Sequence, residues 1–142
     1  MERLLVVANQ TLGGDRLFAT IRELAHAGPC TFRVVVPATP AQGRTWTEGD
    51  ALAAARTRLE LALARFREID LDVDGEVGDA NPMLAIGDAL RDHGPFDRIV
   101  LSTLPPGASR WLKLDLPHRV EAAFGLPVRH VIGARETVAV GR

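Results

Sequence analysis

Hydroxyls, a glycine and an arginine are concentrated in one stretch of this chain, Ser102-Thr103-Leu104-Pro105-Pro106-Gly107-Ala108-Ser109-Arg110-Trp111. Ser102, Thr103 and Ser109 can donate to phosphate oxygens. Gly107 lets backbone N–H groups approach closely, and Arg110 with Lys113 supplies positive charge. Those types between an apolar run and a helix start are the ingredients of an anion pocket. The same residues also read as a surface loop stiffened by two prolines, with Trp111 packed over the end of a sheet. A second stretch, Asn9-Gln10-Thr11-Leu12-Gly13-Gly14-Asp15, holds a polar side chain where an apolar run ends, a place that commonly meets a ligand. Gly13 and Gly14 suit an ordinary turn as well as a phosphate loop, because neither G-x-G-x-x-G nor G-x-x-x-x-G-K-[ST] is present.

Catalytic groups are sparse. His26, His93, His118 and His130 lack metal-ligand spacing, and none adjoins an obvious nucleophile in sequence. His93 adjoins a helix end, where it can serve the exposed carbonyls, and His118 lies in the first turn of the last helix, suited to a solvated role or to lining a pocket. Asp70, Asp72, Asp74 and Glu76 alternate, so they share one face of a strand, and their repulsion is tolerable where that face is wet. Cys30 is the single cysteine, which leaves no disulfide framework and suits a small core residue. No catalytic residue and no metal site are assigned.

The elements that must position these residues alternate. Leu4 to Ala8, Phe32 to Val36, Ile99 to Leu101 and Val128 to Ile132 are short apolar runs of the kind found in buried parallel strands. Leu71 to Val77, interleaved with acids, belongs nearer an edge. Leu17, Phe18, Ile21, Leu24 and Ala25 form one helical face. Leu52, Ala55, Leu59, Leu63 and Phe66 form another, with Asp50 as its expected cap. Asn81-Pro82 starts a third helix and Gly94-Pro95 stops it. Asp115 is the expected cap of a fourth, which Gly125 and Pro127 end. The order β-α-β-α-β-α-β-α-β implies right-handed crossovers and a doubly wound, five-stranded parallel sheet in a three-layer α/β/α sandwich. The expected strand order is 3-2-1-4-5, with the cleanest apolar strand central and the acidic one outermost. Ligands of such sheets bind beyond the carboxyl ends of the strands. That rule selects the loops after strands 1, 2 and 4 and adds Pro37 and Gly78, each closing a strand, to Asn9, Ser102, Thr103, Gly107, Ser109 and Arg110 as candidate ligand-binding residues.

Composition bounds the answer without choosing it. A chain of 142 residues, 46% apolar and 25% charged, is long enough for one domain with a real core and unlike a disordered chain. A net charge of −1 gives no whole-molecule pull towards nucleic acid or an anionic membrane. The start lacks the pattern of a signal peptide, and no apolar run reaches the roughly 18 residues of a membrane span. A cytoplasmic location, with neither nucleic acid nor membrane as partner, is expected.

Four segments carry a resemblance. Leu4-Leu5-Val6-Val7-Ala8-Asn9, Val77-Gly78-Asp79-Ala80-Asn81-Pro82, Phe96-Asp97-Arg98-Ile99-Val100-Leu101-Ser102 and Gly125-Leu126-Pro127-Val128-Arg129-His130-Val131 resemble the opening strand, the strand-3 exit, the fourth strand and the final signature of the universal stress protein family. The resemblance spans almost the whole chain. It implies a single domain over residues 1–142 that binds ATP, AMP or another small phosphate ligand at the crevice of strands 1 and 4. It also implies a homodimer joined through the last strand and the Thr137 to Val140 tail.

The departure falls after strand 4. Nucleotide-binding members carry G-x2-G-x9-G-[ST] there, whereas here Ser102 replaces the first glycine, Gly107 comes five residues later and Leu114-Asp115 stands in place of Gly-Ser. Glycine-free backbone narrows the approach of phosphate, and Asp115 is expected to repel it. Three functions therefore compete: a non-catalytic binding module for an adenine nucleotide or small phosphate ligand, a nucleotide-free homodimeric interaction module, and, least supported, a nucleotide hydrolase.

Overall fold

The computed structural model describes residues 1–40 and 47–133, so the 41–46 part of the loop after strand 2 and the Thr137 to Val140 tail lie outside the described residues. The elements run β1 (Glu2–Val7), α1 (Asp15–Ala27), β2 (Cys30–Pro37), α2 (Glu48–Glu68), β3 (Val73–Gly78), α3 (Pro82–His93), β4 (Arg98–Thr103), α4 (Arg110–Lys113), α5 (Leu116–Phe124) and β5 (Val128–Ile132). All strand pairings are parallel, and the sheet order is β3-β2-β1-β4-β5, as the alternating pattern predicts. The fold is a doubly wound α/β sandwich.

Period-two alternation divides the central strand between two cores. Leu4, Val6 and Ala8 face α1 and α2 through Leu17, Ile21, Leu59 and Phe66. Leu5 and Val7 face α3 and α5 through Ile86, Ala89, Leu116 and Val120. Each fully buried aliphatic side chain contributes about 1.5–3 kcal/mol, so β1 is fixed from both sides. Its register, Val7 opposite Val35 and Leu101, places the ends of β1, β2 and β4 side by side. Among the described residues, no helix is long and apolar enough to cross a membrane.

Several local expectations are corrected. The third strand begins at Val73, because Asp70 adopts a left-handed φ of 61° in the turn that ends α2. Asp74 and Glu76 are not simply solvated, since Arg33 of β2 reaches them at 2.9 and 2.7 Å. The cap of α2 is Thr47, whose hydroxyl accepts from the Asp50 N–H while the Asp50 carboxylate accepts from the Thr47 N–H. That is a capping box, with Asp50 at its third helical position rather than at its head. Asn81 caps α3 as expected, its side chain accepting from the Met83 N–H at 2.9 Å. Asp115 precedes α5 but makes no capping bond; its φ is 55°, and its carboxylate meets His118 Nδ1 at 3.3 Å. Cys30 is only half-buried, and desolvation pushes its thiol pKa up.

Candidate functional site

The crevice lies where the chain leaves the carboxyl ends of β1 and β4, since α1 turns to one face of the sheet and α5 to the other. Asn9 follows β1 directly and is 4% exposed. Its Nδ2 donates to the carbonyls of Pro37 (2.9 Å) and Thr39 (3.1 Å), and its Oδ1 accepts from Arg58 Nη1 at 2.8 Å. The amide therefore ties β1 to the loop after β2 and to α2. Thr11 Oγ1 and Ser102 Oγ lie 2.5 Å apart and close the gap between the loop after β1 and β4. Thr103 Oγ1 lies within hydrogen-bond distance of both the Leu104 carbonyl, 2.9 Å, and His130 Nε2, 2.8 Å. Burial pushes the His130 pKa down and favours the neutral imidazole.

The loop after β4 turns at Gly107, whose φ of 91° suits glycine, and then enters α4, a four-residue helix that the sequence pattern merges with the loop. Ser109 caps α4 by accepting from the Leu112 N–H at 3.1 Å and keeps its own proton to donate. Trp111 is buried in the α3–α5 core, and its Nε1 donates to Thr39 Oγ1 at 3.3 Å. Arg110 Nη1 reaches the Pro40 carbonyl at 3.4 Å.

These groups enclose a shallow cavity of about 30 Å³. Among the described residues its wall comes from residues 9–11, 39–40, 102–104 and 109–111, none of them a carboxylate. Protons remain to be given: one from the Thr11–Ser102 pair, one from Ser109, several from the Arg110 guanidinium, and the amide of Gln10, which hydrogen-bonds nothing among the described residues. An anion or a neutral polyol suits such a wall; a cation does not.

Of the residues singled out in the sequence, Asn9, Ser102, Thr103, Ser109 and Arg110 meet at the cavity, while Pro37, Gly78 and Gly107 do not line it. Pro37 contributes only the carbonyl that holds Asn9. Gly78 serves packing: a Cβ there would lie 2.8 Å from Ala85 Cβ and 3.1 Å from Val35 Cγ2. Asp115 is not among the residues that line this cavity, and its side chain is 68% exposed. Thr11, Thr39, Arg58 and His130 are the additions. Thr11 was visible two residues beyond Asn9, whereas Arg58 and His130 become partners only through the topology.

A larger cavity, about 170 Å³, opens at the amino ends of the strands beside Arg3, Arg33, Asp74 and His93. Several of its charged groups are already engaged: Arg33 pairs with Asp74 and Glu76, His93 Nε2 meets Glu76 at 2.9 Å, and the Arg3 guanidinium donates to the Pro95 and His93 carbonyls. Among the described residues, no group of three His, Cys, Asp or Glu side chains is placed to hold a metal. A scan against protein-family models finds no match to this chain, and neither does a search of curated proteins.

Proposed function

We propose that this protein is a non-catalytic binding module that holds a small phosphate-type ligand at the β1/β4 crevice, in the manner of a universal stress protein. The observation that carries the reading is the cavity wall itself. Arg110 and hydroxyls with protons to give line it, and among the described residues no carboxylate there opposes a negative guest. Charge-assisted hydrogen bonds are about twice as strong as neutral ones, so an anion gains most from this arrangement. The strand order 3-2-1-4-5 and the segments that resemble the family support the family reading. The non-catalytic reading is supported by the Thr103–His130 pair. His130, the base within reach of the Thr103 hydroxyl, does not line the cavity among the described residues.

Titration calorimetry with inorganic phosphate tests the reading. Saturable binding, weakened several-fold by Arg110→Ala and by Ser109→Ala, supports it; absence of binding to the folded wild type rejects it.

A second reading, self-association through β5, is favoured by the outer position of that strand, which pairs only with β4 among the described residues. Unpaired strand edges are natural sites for pairing with another copy. Sedimentation equilibrium showing only monomer at micromolar concentration rejects this reading.

A further inference from the structure

We propose that Gly133, where the chain leaves β5, is a positioning residue for the crevice: because it carries no side chain, the Thr11 hydroxyl can stand against Ser102, and the pair can donate to a bound anion. This rests on the anion-binding reading above and adds the residue that keeps its buried donors in place.

Thr11 and Ser102 are 5% and 1% exposed, and both line the cavity. Their hydroxyl oxygens are 2.5 Å apart, and among the described residues neither hydroxyl has another hydrogen-bond partner. Whichever of the two donates, one proton is left over. A buried hydroxyl proton without an acceptor is costly, so the pair calls for one. The cavity that both residues line is where an acceptor can enter.

Gly133 decides whether the pair can form. It is buried, and its φ lies outside the left-handed region, so contact rather than conformation bars a side chain there. A Cβ at residue 133 would stand 2.9 Å from Thr11 Cγ2 and 3.0 Å from Thr11 Cβ. Carbons in good contact sit at about 3.5–4.0 Å. Neither partner can retreat freely. The Gly133 N–H donates to the Thr103 carbonyl at 2.8 Å, and Arg16 of α1 holds the neighbouring Ile132 carbonyl at 3.1 Å. On the other side, the Asn9 carbonyl accepts from the Leu12 N–H at 3.1 Å and the Thr11 carbonyl from the Gly14 N–H at 3.0 Å, which fixes the backbone of Thr11 in a tight turn. A methyl at residue 133 must therefore drive Thr11 off Ser102 or part Gly133 from Thr103. Either way the wall is disturbed, since Thr11, Ser102 and Thr103 all line the cavity. Donors already in place bind a guest more tightly than donors it must reorder.

The test reads a small set of variants by calorimetry with inorganic phosphate and by thermal melts without ligand. Gly133→Ala should lower phosphate affinity by about two- to tenfold, the worth of one neutral hydrogen bond. Thr11→Ser removes Cγ2 and keeps the hydroxyl, so adding it to Gly133→Ala should restore most of the affinity. Thr11→Ala relieves the same contact but has no hydroxyl, so adding it should leave the affinity low. If Gly133→Ala alone does not fold, recovery of the melt by Thr11→Ser and the affinities of the two double variants carry the comparison. Unchanged affinity in folded Gly133→Ala overturns the role of Gly133 while leaving the anion site standing. Equal rescue by Thr11→Ser and Thr11→Ala overturns the part played by the hydroxyl, and rescue by neither overturns the route through Thr11. Phosphate that does not bind wild type overturns the site and the role together.

Discussion

The Arg58 guanidinium of α2 donates to Asn9 Oδ1 at 2.8 Å, joining a cation on one helix to the amide that ends the central strand. The bond decides how Asn9 is oriented. With Oδ1 facing a donor, Nδ2 must face acceptors, and the Pro37 and Thr39 carbonyls occupy those places. One side chain thus converts the position of α2 into the position of a cavity wall.

Asn9→Leu should accordingly cost more than an average buried substitution. It leaves two carbonyls and part of a guanidinium without partners in a region 4% exposed at residue 9. At about 0.5–1.5 kcal/mol for each neutral bond and somewhat more for the charged one, a loss of about 2–4 kcal/mol is expected. Urea unfolding measures it. Arg58→Met should cost less, because Asn9 keeps both carbonyls; equal losses from the two variants would contradict this hierarchy.

Gly78→Ala should destabilise without touching ligand binding. A Cβ at Gly78 would stand 2.8 Å from Ala85 Cβ, a carbon on a helix backbone that cannot rotate away. Overpacking of this kind costs about 1–3 kcal/mol. Since Gly78 does not line the cavity, phosphate affinity of the folded variant should match wild type. A large loss of affinity with no loss of stability would return Gly78 to the site.

Stability should fall as the pH drops below the ordinary histidine range, and His130 should be a cause. Its unfolded pKa is about 6.5, and burial lowers the folded value. Between the two values the unfolded chain holds more protons than the folded one, so unfolding free energy rises with pH in that window. The contribution is whole above the unfolded pKa, declines as pH falls through the window, and levels off below the folded pKa. Unfolding free energies measured across mildly acidic pH should show a shallower slope in His130→Gln, which keeps a donor towards Thr103 but does not titrate. An unchanged slope would remove His130 from the account.

The broad fold was legible because it rests on runs of one residue class. Leu4 to Ala8 is apolar on both faces and Phe32 to Val36 nearly so, Arg33 apart, which suits inner strands, while the acids around Val73 mark an edge. The site was legible where sequence neighbours share a loop, as with Ser102, Thr103, Ser109 and Arg110. It was not legible where partners meet across the sheet. Thr11 and Ser102 are 91 residues apart, and Thr103 and His130 are 27 apart, so their bonds exist only once the register is known. The acidic strand lies at the edge as its alternation implies, but Arg33 as the partner of Asp74 and Glu76 was hidden for the same reason, since it lies on the neighbouring strand. Arg33→Met should therefore destabilise by about 1–2 kcal/mol, between the values for exposed and buried ion pairs. A shift in the urea midpoint too small to resolve would show that solvent already screens those carboxylates.

ATP with magnesium should bind weakly or not at all, and Asp115→Ser should not change that. A triphosphate needs several backbone N–H groups turned towards it. Pro105 and Pro106 have none. The N–H groups of Ala108 and Ser109 are spent on the Pro105 carbonyl, both at 3.1 Å, and that of Leu112 on Ser109 Oγ. Those donors are spent inside the loop and α4, which leaves the N–H groups of Gly107, Arg110 and Trp111 as the backbone donors there. Asp115 plays no part in this, because its carboxylate caps nothing, faces His118 and lies outside the cavity wall. Each backbone donor lost to an anion forfeits about 1 kcal/mol or more, and the Arg110 guanidinium restores only about 1.5–3. Calorimetry on the two proteins should give the same flat titration with ATP. Low-micromolar binding by wild type would mean that the loop reopens its internal bonds for the ligand. Binding that appears only in Asp115→Ser would show that charge at the start of α5, rather than the shortage of N–H groups, had closed the site.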